Sequence, residues 1–368
     1  MRTHIHALLG PAIVTGMALS LAVPASAQYS SDFEALNASG NGVLLTGQDG
    51  YYIPDGTDSV DFYAFTYNNN GIGLPKNPRG GAQFIAGSGP GSPTFARAQR
   101  DMTWGSGIWE VSVDVCCTYL GSGESQDNLG SFSLQPYPGS ASYIQLFSWM
   151  DPTNPVAWRS TFNAYDENGN GYNGVSPGEG WQNLKIDHWY RLRTTLDFDQ
   201  NRILQTSIAD LSTGETTSTC FGTMYLEGGR NGSAQPTGFR FFAGGGVPDN
   251  VTAYDNIGIE PTGRSLWTCI NGDCPGLVSI SVSGATSRGD VALVAGLTGG
   301  QYVNPKPPCQ GITIDINPPF LNGFPRVERA SSDGKVFIAG DMPRNLCGRL
   351  YVQAVDLTTC NVSNAANK

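Results

Sequence analysis

Histidine is nearly missing from this chain. Three occur in 368 residues: His4 and His6 near the start, and His188. A serine or cysteine nucleophile needs a base, and with one internal histidine and no Gly-x-Ser-x-Gly turn, triad hydrolysis is poorly supported. A zinc finger or ribbon is not expected either, because the cysteine spacings do not fit one. Cys-x-x-Cys is absent, which argues against thioredoxin-like redox chemistry. Charge is also scarce. Charged residues make up 14%, and 21 Lys and Arg against 31 Asp and Glu leave a net charge of -10. No basic patch is visible, so neither nucleic acid nor an anionic membrane surface is an expected partner. After the first 27 residues no apolar run approaches the ~18 residues of a spanning helix, so no transmembrane segment is expected in the mature chain.

The first 27 residues read as a secretory signal peptide. Arg2 precedes the apolar run IVTGMALSLAV, and Ala25-Ser26-Ala27 supplies small residues for cleavage before Gln28. A secreted, periplasmic or cell-surface location follows as an expectation. The 48 glycines, 23 prolines and 10% aromatics indicate many turns between short strands, hence an all-β chain. WEVSVDV (109–115) alternates strictly: Trp109, Val111, Val113 and Val115 on one face, Glu110, Ser112 and Asp114 on the other. YIQLFSWM (143–150) and HWYRLRTTLDF (188–198) repeat the pattern. The turn at 199–201 then leads into RILQTSIAD, predicting a hairpin. GFRFFAG and VTAYDNIGIE close a region of roughly a dozen strands, too many for one flat sheet and suited to a two-sheet sandwich. Near residue 262 the texture changes to turn-rich PTGRSLWTCINGDCPG. Five or six further strands would form a small sandwich over 263–368 that needs covalent staples because its core is small.

Eight cysteines supply candidates for those staples: Cys116, Cys117 and Cys220 before the boundary, and Cys269, Cys274, Cys309, Cys347 and Cys360 after it. Both groups are odd, so either one bridge crosses the boundary or two thiols stay free. Neighbours on a strand point to opposite faces, so Cys116 and Cys117 cannot share a partner. The pairing expected here joins Cys220 to one of them; an adjacent Cys116–Cys117 bridge is the alternative.

SDFEAL, LTGQDGYYIP, WEVSVDV, HWYRLRTTLDF and the closing YDNIGIE, in that order over about residues 30–260, resemble the concanavalin A-like lectin/glucanase jelly roll. The segment ending GRLYVQAVDLTTCNVSN resembles a small module at the ends of exported proteins of planctomycete-like bacteria. The resemblance implies a jelly-roll sandwich at 28–262 whose concave face meets polysaccharide.

The glucanase branch of that superfamily carries Glu-x-Asp-x-x-Glu on one strand. Here Glu110 and Asp114 share a face about 13 Å apart by strand rise, with Ser112 in place of the central aspartate. A retaining glycosidase needs its carboxyls ~5 Å apart. The lyase branch needs Gln-x-His, and YIQLF offers Gln145 without the histidine; His188 stands apart as a weak base candidate. Glu110, Asp114 and His188 are therefore the only catalytic candidates, and a non-catalytic polysaccharide binder is expected. A hydrolase or lyase with a non-standard site in the same groove, or a purely structural surface protein, are the alternatives. Tyr143, Trp149, Trp158 and Trp181 are candidate sugar platforms, and Gln145, Arg159, Arg191 and Arg193 candidate polar partners. If the three arginines share one face, an anionic polysaccharide is favoured. No cofactor is expected apart from calcium as an alternative. DENGNGYNG (166–174) places Asp166, Asn168 and Asn170 at calcium-loop spacing, but position twelve is Pro177 instead of glutamate. Asn-Gly steps equally suit a tight turn, the reading preferred here.

Overall fold

The computed structural model describes residues 28–54, 59–88, 95–119, 128–135, 144–150, 157–232, 236–244 and 250–368, with the backbone alone over 144–150. The expected signal peptide and Tyr143 lie outside the described residues. The chain is all-β. Among the described residues, helical structure is limited to single 3-10 turns at Glu179–Trp181, Gly229–Asn231 and Arg344–Leu346. Among the described residues, no helix is long and apolar enough to cross a membrane.

Residues 29–261 form two stacked sheets. The first runs Thr216–Cys220, Arg202–Asp210, Tyr190–Asp197, Ile108–Tyr119, Asn250–Pro261, Gln83–Ser88, Tyr63–Thr66, Val43–Leu44, with Tyr29–Ser31 added to Asn250–Pro261. The second runs Gly171–Val175, Ala157–Tyr165, Ile144–Met150, Asn128–Gln135, Gly238–Ala243, Phe95–Asp101, Ser59–Val60, with Leu184–Lys185 against Ala157–Tyr165. Strands far apart in sequence become neighbours, Ile108–Tyr119 beside Asn250–Pro261 in the first sheet and Asn128–Gln135 beside Gly238–Ala243 in the second, the crossovers a jelly roll requires.

Strand alternation sets the core. Trp109, Val111, Val113 and Val115 point between the sheets, as do Tyr190, Leu192 and Leu196 from the hairpin partner Tyr190–Asp197. The second sheet answers with Phe132, Leu134, Trp158, Phe162, Phe239 and Phe241. The Phe241 ring lies 4.6 Å from Tyr254 and 5.4 Å from Phe132, within the range of favourable aromatic pairs. The expected faces of WEVSVDV and of the 190–197 strand are thus the observed ones.

Part of the outward face of the first sheet is covered by the chain itself. Residues 67–82 cross it as a strap. Tyr67 and Leu74 pack with Phe84, Cys116, Trp189 and Val251, and Trp189 Nε1 donates to Pro75 O at 2.8 Å. Glu34 Oε1 pins the end of the strap by accepting from the amides of Ala82 and Gln83 at 2.7 and 2.8 Å. Gly80 is required by close approach, since an added Cβ would stand 2.3 Å from Asp255 Oδ2.

From Leu266 onward a smaller sandwich pairs the sheet Trp267–Gly272, Gly276–Ser283, Val336–Met342 with the sheet Arg326–Arg329, Asp290–Gly296, Tyr351–Asp356, Ala366–Asn367. Leu266, Val282, Val291, Leu293, Val336 and Ala354 fill part of its core. WTCING, expected as part of a turn-rich connection, is a strand. Its Ile270 enters the small core while Trp267 and Cys269 pack against Ile108, Leu204 and Cys220. Burial on both faces erases the alternation that marks a half-buried strand.

The disulfides correct the expected pairing. Cys220 bonds Cys269, not Cys116 or Cys117; Cys274 bonds Cys347, and Cys309 bonds Cys360. A bridge joins the two sandwiches and two thiols also stay free, so the two options left open by parity both hold. Cys116 faces the strap and Cys117 the main core. Burial pushes both thiols up, so neither is available as a thiolate. Asn271 reinforces the joint, with Oδ1 accepting from Cys220 N and Nδ2 donating to Cys220 O. Converting Cys220 and Cys269 together to serine should lower stability by about 2–4 kcal/mol in a thermal or urea melt.

Candidate functional site

On the second sheet the same alternation that buries Phe239 and Phe241 turns Arg240 and Phe242 outward. The register lines these side chains up in rows across three strands. Gln99, Arg240 and Ser133 form one row, Arg97, Phe242 and Ser131 the next, and Asp101, Gly238 and Gln135 the row on the other side. The Ser131 row continues through the backbone of Ser148 to Thr161, next to Arg159 on the Ala157–Tyr165 strand.

These outward polar groups are enclosed instead of solvated. Relative exposure is 0% for Gln99 and Gln135, 1% for Ser133 and 6% for Arg240. Polar groups removed from water need partners, and a directed chain of hydrogen bonds provides them. Arg240 donates from Nε and Nη2 to Gln99 Oε1 at 2.9 and 2.7 Å. Gln99 Nε2 donates to Tyr52 Oη at 2.7 Å, and Tyr52 Oη donates to Asp101 Oδ1 at 2.8 Å. Burial, then the bond to Asp101, pushes the Tyr52 phenol up, so it stays protonated at neutral pH. Gln135 Nε2 donates to Ser133 Oγ at 2.9 Å.

One end of the face is aromatic. Phe95 and Phe242 lie 4.9 Å apart at 34°, and the Arg97 guanidinium sits over both rings at 5.4 and 5.6 Å. Arg97 is steadied by a 2.5 Å bond from Nη1 to Ser59 Oγ. Guanidinium, amide and hydroxyl groups beside flat rings are the chemistry that binds sugar rings.

The candidates named from sequence distribute differently. Arg191 and Arg193 lie on the outward face of the first sheet, across the sandwich from Arg159, so the three arginines do not share a face. Arg191 is spent on Asp114, with Nε to Oδ1 at 2.6 Å and Nη2 to Oδ2 at 2.9 Å. Arg193 pairs with Glu110 at 3.1 Å. Trp158 and Trp181 are core residues instead of sugar platforms. Both are about fully buried between the sheets, and Trp158 Nε1 donates to Lys185 O. Gln145 and Trp149 belong to the Ile144–Met150 strand of the second sheet, and Tyr143 precedes it outside the described residues. Arg159 is exposed on that sheet.

Asp114 is sealed in a network under the strap. Its Oδ2 also accepts from Asn77 Nδ2 and Asn256 Nδ2, each at 2.9 Å. The same Asn77 amide reaches Asp255 Oδ2 at 3.2 Å, and Tyr67 Oη donates to that oxygen at 2.8 Å. A bulge between Asp255 and Gly258 brings Asp255 and Asn256 together to this cluster. Glu110 sits with Arg193 at the rim of the same sheet, where burial pushes its carboxyl up. His188 Nδ1 is 3.7 Å from Asp210 Oδ2, at the head of the Tyr190–Asp197 strand. Asp166 serves a turn: Oδ1 accepts from the amides of Asn168 and Asn170 and Oδ2 from Asn170 Nδ2, with Gly169 at φ +85°.

The residues missed were Arg97, Gln99 and Arg240. Their signal is the two-residue period of FARAQRD and GFRFFAG, with Arg97, Gln99 and Asp101 in the phase opposite Ala96 and Ala98, and Arg240 in the phase opposite Phe239, Phe241 and Ala243.

No family model matches the chain, and no curated protein is similar to it in sequence. Among solved structures it is similar to peanut lectin in complex with a nine-residue peptide (10% identity, TM-score 0.35, 64% of this chain and 99% of that one). It is similar to the CBM2 module of the evolved Dit of Lactobacillus casei BL23 phage J-1 (12% identity, TM-score 0.35, 64% and 95%). It is also similar to the carbohydrate esterase of the Shiga toxin-encoding bacteriophage phi24B (9% identity, TM-score 0.33, 54% and 96%).

Proposed function

We propose that this chain is an exported polysaccharide-binding protein that takes a sugar chain along the outward face of its second sheet. The observation that carries this reading is the half-buried Arg97 guanidinium over the Phe95–Phe242 pair, with exposed Arg159 farther along the same sheet. Behind it, the hydrogen-bonded row Gln99–Arg240–Ser133 offsets its own desolvation and holds the strands that present this surface. Arg97 and Arg159 on one face favour an anionic polysaccharide, since guanidinium forks match carboxylate or sulfate. The binding is non-catalytic. Among the described side chains of these rows Asp101 is the one carboxylate, and cleavage by a retaining or inverting route requires two. The smaller sandwich, clamped by Cys220–Cys269, serves as a rigid attachment or spacer module.

Affinity electrophoresis on a panel of neutral and uronate-containing polysaccharides tests this. Retardation is expected with uronate polymers, and Arg97→Ala should weaken it by about tenfold through loss of the cation and its stacking. Arg193→Ala, on the other face and in a surface ion pair, should leave retardation unchanged. Equal retardation of wild type and Arg97→Ala would contradict the placement of the site, and new reducing ends in the same samples would contradict a non-catalytic role.

A further inference from the structure

We infer that the smaller sandwich carries a second, separate site, one that accepts the apolar tail of a small carboxylic acid. The evidence is a cavity of about 300 Å³ on the outer side of the sheet that contains Asp290–Gly296 and Tyr351–Asp356. Its floor is the buried side chains of Val294, Ile314, Val355 and Cys309. Tyr302, Ile312, Phe320 and Leu357, all half-buried, form the walls. Protein interiors are normally packed with few voids larger than a water molecule. This space is roughly twice the ~150 Å³ apolar cavity that stays dry and takes benzene. It also falls at the lower end of the size range of small-molecule pockets.

The cavity is held open by its frame. The hairpin Gly299–Val303 with Thr313–Ile316 stands beside the sheet, and the connection between its strands forms the rim. That connection is fixed at both ends. Asn304 Nδ2 donates to Lys306 O at 2.7 Å and to Cys309 O at 2.9 Å, while its Oδ1 accepts from Lys306 N at 3.2 Å. The Cys309–Cys360 disulfide then ties the rim to the segment that follows Tyr351–Asp356. Tyr302 and Phe320 meet edge to face at 5.5 Å on the wall. With the rim stapled, the walls cannot collapse onto the floor, and the apolar lining is preorganised for a guest.

Charge selects the head group. Lys306 is the one charged residue among those lining the cavity, and it is exposed at the mouth. A cation at the entrance to an apolar space favours an anionic head above a buried tail. The ligand class is therefore a monocarboxylic acid bearing an aryl group or a medium-length acyl chain.

The test uses the full-length protein and two named probes, decanoate and decanol, each competing with 1-anilinonaphthalene-8-sulfonate followed by fluorescence. Decanoate should displace the dye saturably and more tightly than decanol. Lys306→Glu, a change at an exposed position, should weaken decanoate about tenfold and leave decanol unaffected. Ile312→Trp, which fills the space from its half-buried wall, should abolish displacement by both with the melting temperature preserved. Absence of saturable displacement, persistence of it in Ile312→Trp, or an unchanged decanoate affinity in Lys306→Glu would each overturn the inference. Polysaccharide retardation is expected to be unaffected in both variants, which separates this site from the one on the larger sandwich.

Discussion

Replacing Arg191 by alanine should destabilise the protein by about 3–5 kcal/mol, because it strips a buried carboxylate of its countercharge. Asp114 is 0% exposed and accepts both arms of the Arg191 guanidinium. Its remaining donors, Asn77 and Asn256, are neutral amides that cannot replace a full positive charge. The loss also loosens the strap, since Asn77 reaches the sheet through the two carboxylates this arginine helps to organise. Arg191→Lys should recover only part of the stability, because an ammonium cannot reproduce the two-armed fork. Arg193 is the internal control. Its pair with Glu110 lies at the surface, with side-chain exposures of 44% and 26%, so Arg193→Ala should cost about 1 kcal/mol or less. Urea unfolding followed by tryptophan fluorescence measures both. Equal, small losses at the two sites would refute the view of Asp114 as a buried charge dependent on Arg191.

Stability should also fall as pH rises toward neutrality, by up to about 4 kcal/mol from one group, given ~1.4 kcal/mol per pKa unit. Asp255 is that group. Burial raises its carboxyl from the ordinary 3.8 to about 7, although Tyr67, the Asn256 amide and Asn77 donate to it; nearby Asp114 adds to the rise. The folded protein therefore holds this proton more tightly than the unfolded chain does. The stabilisation is fully present below about pH 4 and is lost as pH climbs through about 7. Asp255→Asn keeps the shape and removes the titration. Thermal melts between pH 4.5 and 8 should slope downward for wild type and be flatter for the variant. Parallel curves would exclude Asp255 as the source. Asp333, lowered to about 2 chiefly by its bond from Lys335, titrates below this window and does not contribute to the slope.

Both predictions concern the first sheet, where residues selected from sequence as ligand contacts became structural. The reason is the strap. WEVSVDV and HWYRLRTTLDF each present one polar face, and alternation alone reads that face as solvent or ligand. It cannot tell that residues 67–82 return to cover it, with Leu74 and Tyr67 replacing water. Conversely, FARAQRD and GFRFFAG look like ordinary half-buried strands. Their polar phases gain meaning when antiparallel register sets Gln99 beside Arg240 and Ser133. Trp158 shows a related ambiguity, because a tryptophan on a strand fits a core and a sugar platform equally well until the facing layer is known.

The amino-acid sequence by itself determined the class of fold. Scarce charge, abundant turn residues and two-residue periodicity are local properties, and they dictate strands, their buried faces and the hairpin at 190–210 without reference to distant partners. Parity of the cysteines likewise required a crossing bridge or free thiols. What only the tertiary structure decided is which polar face is covered, which arginines become neighbours, that Cys220 meets Cys269, and that WTCING is a strand buried on both sides. Each of these depends on contacts between segments tens to nearly two hundred residues apart, such as Asn77 with Asp255. Periodicity carries no information about such encounters, because it records how a segment divides its own faces and not what those faces meet.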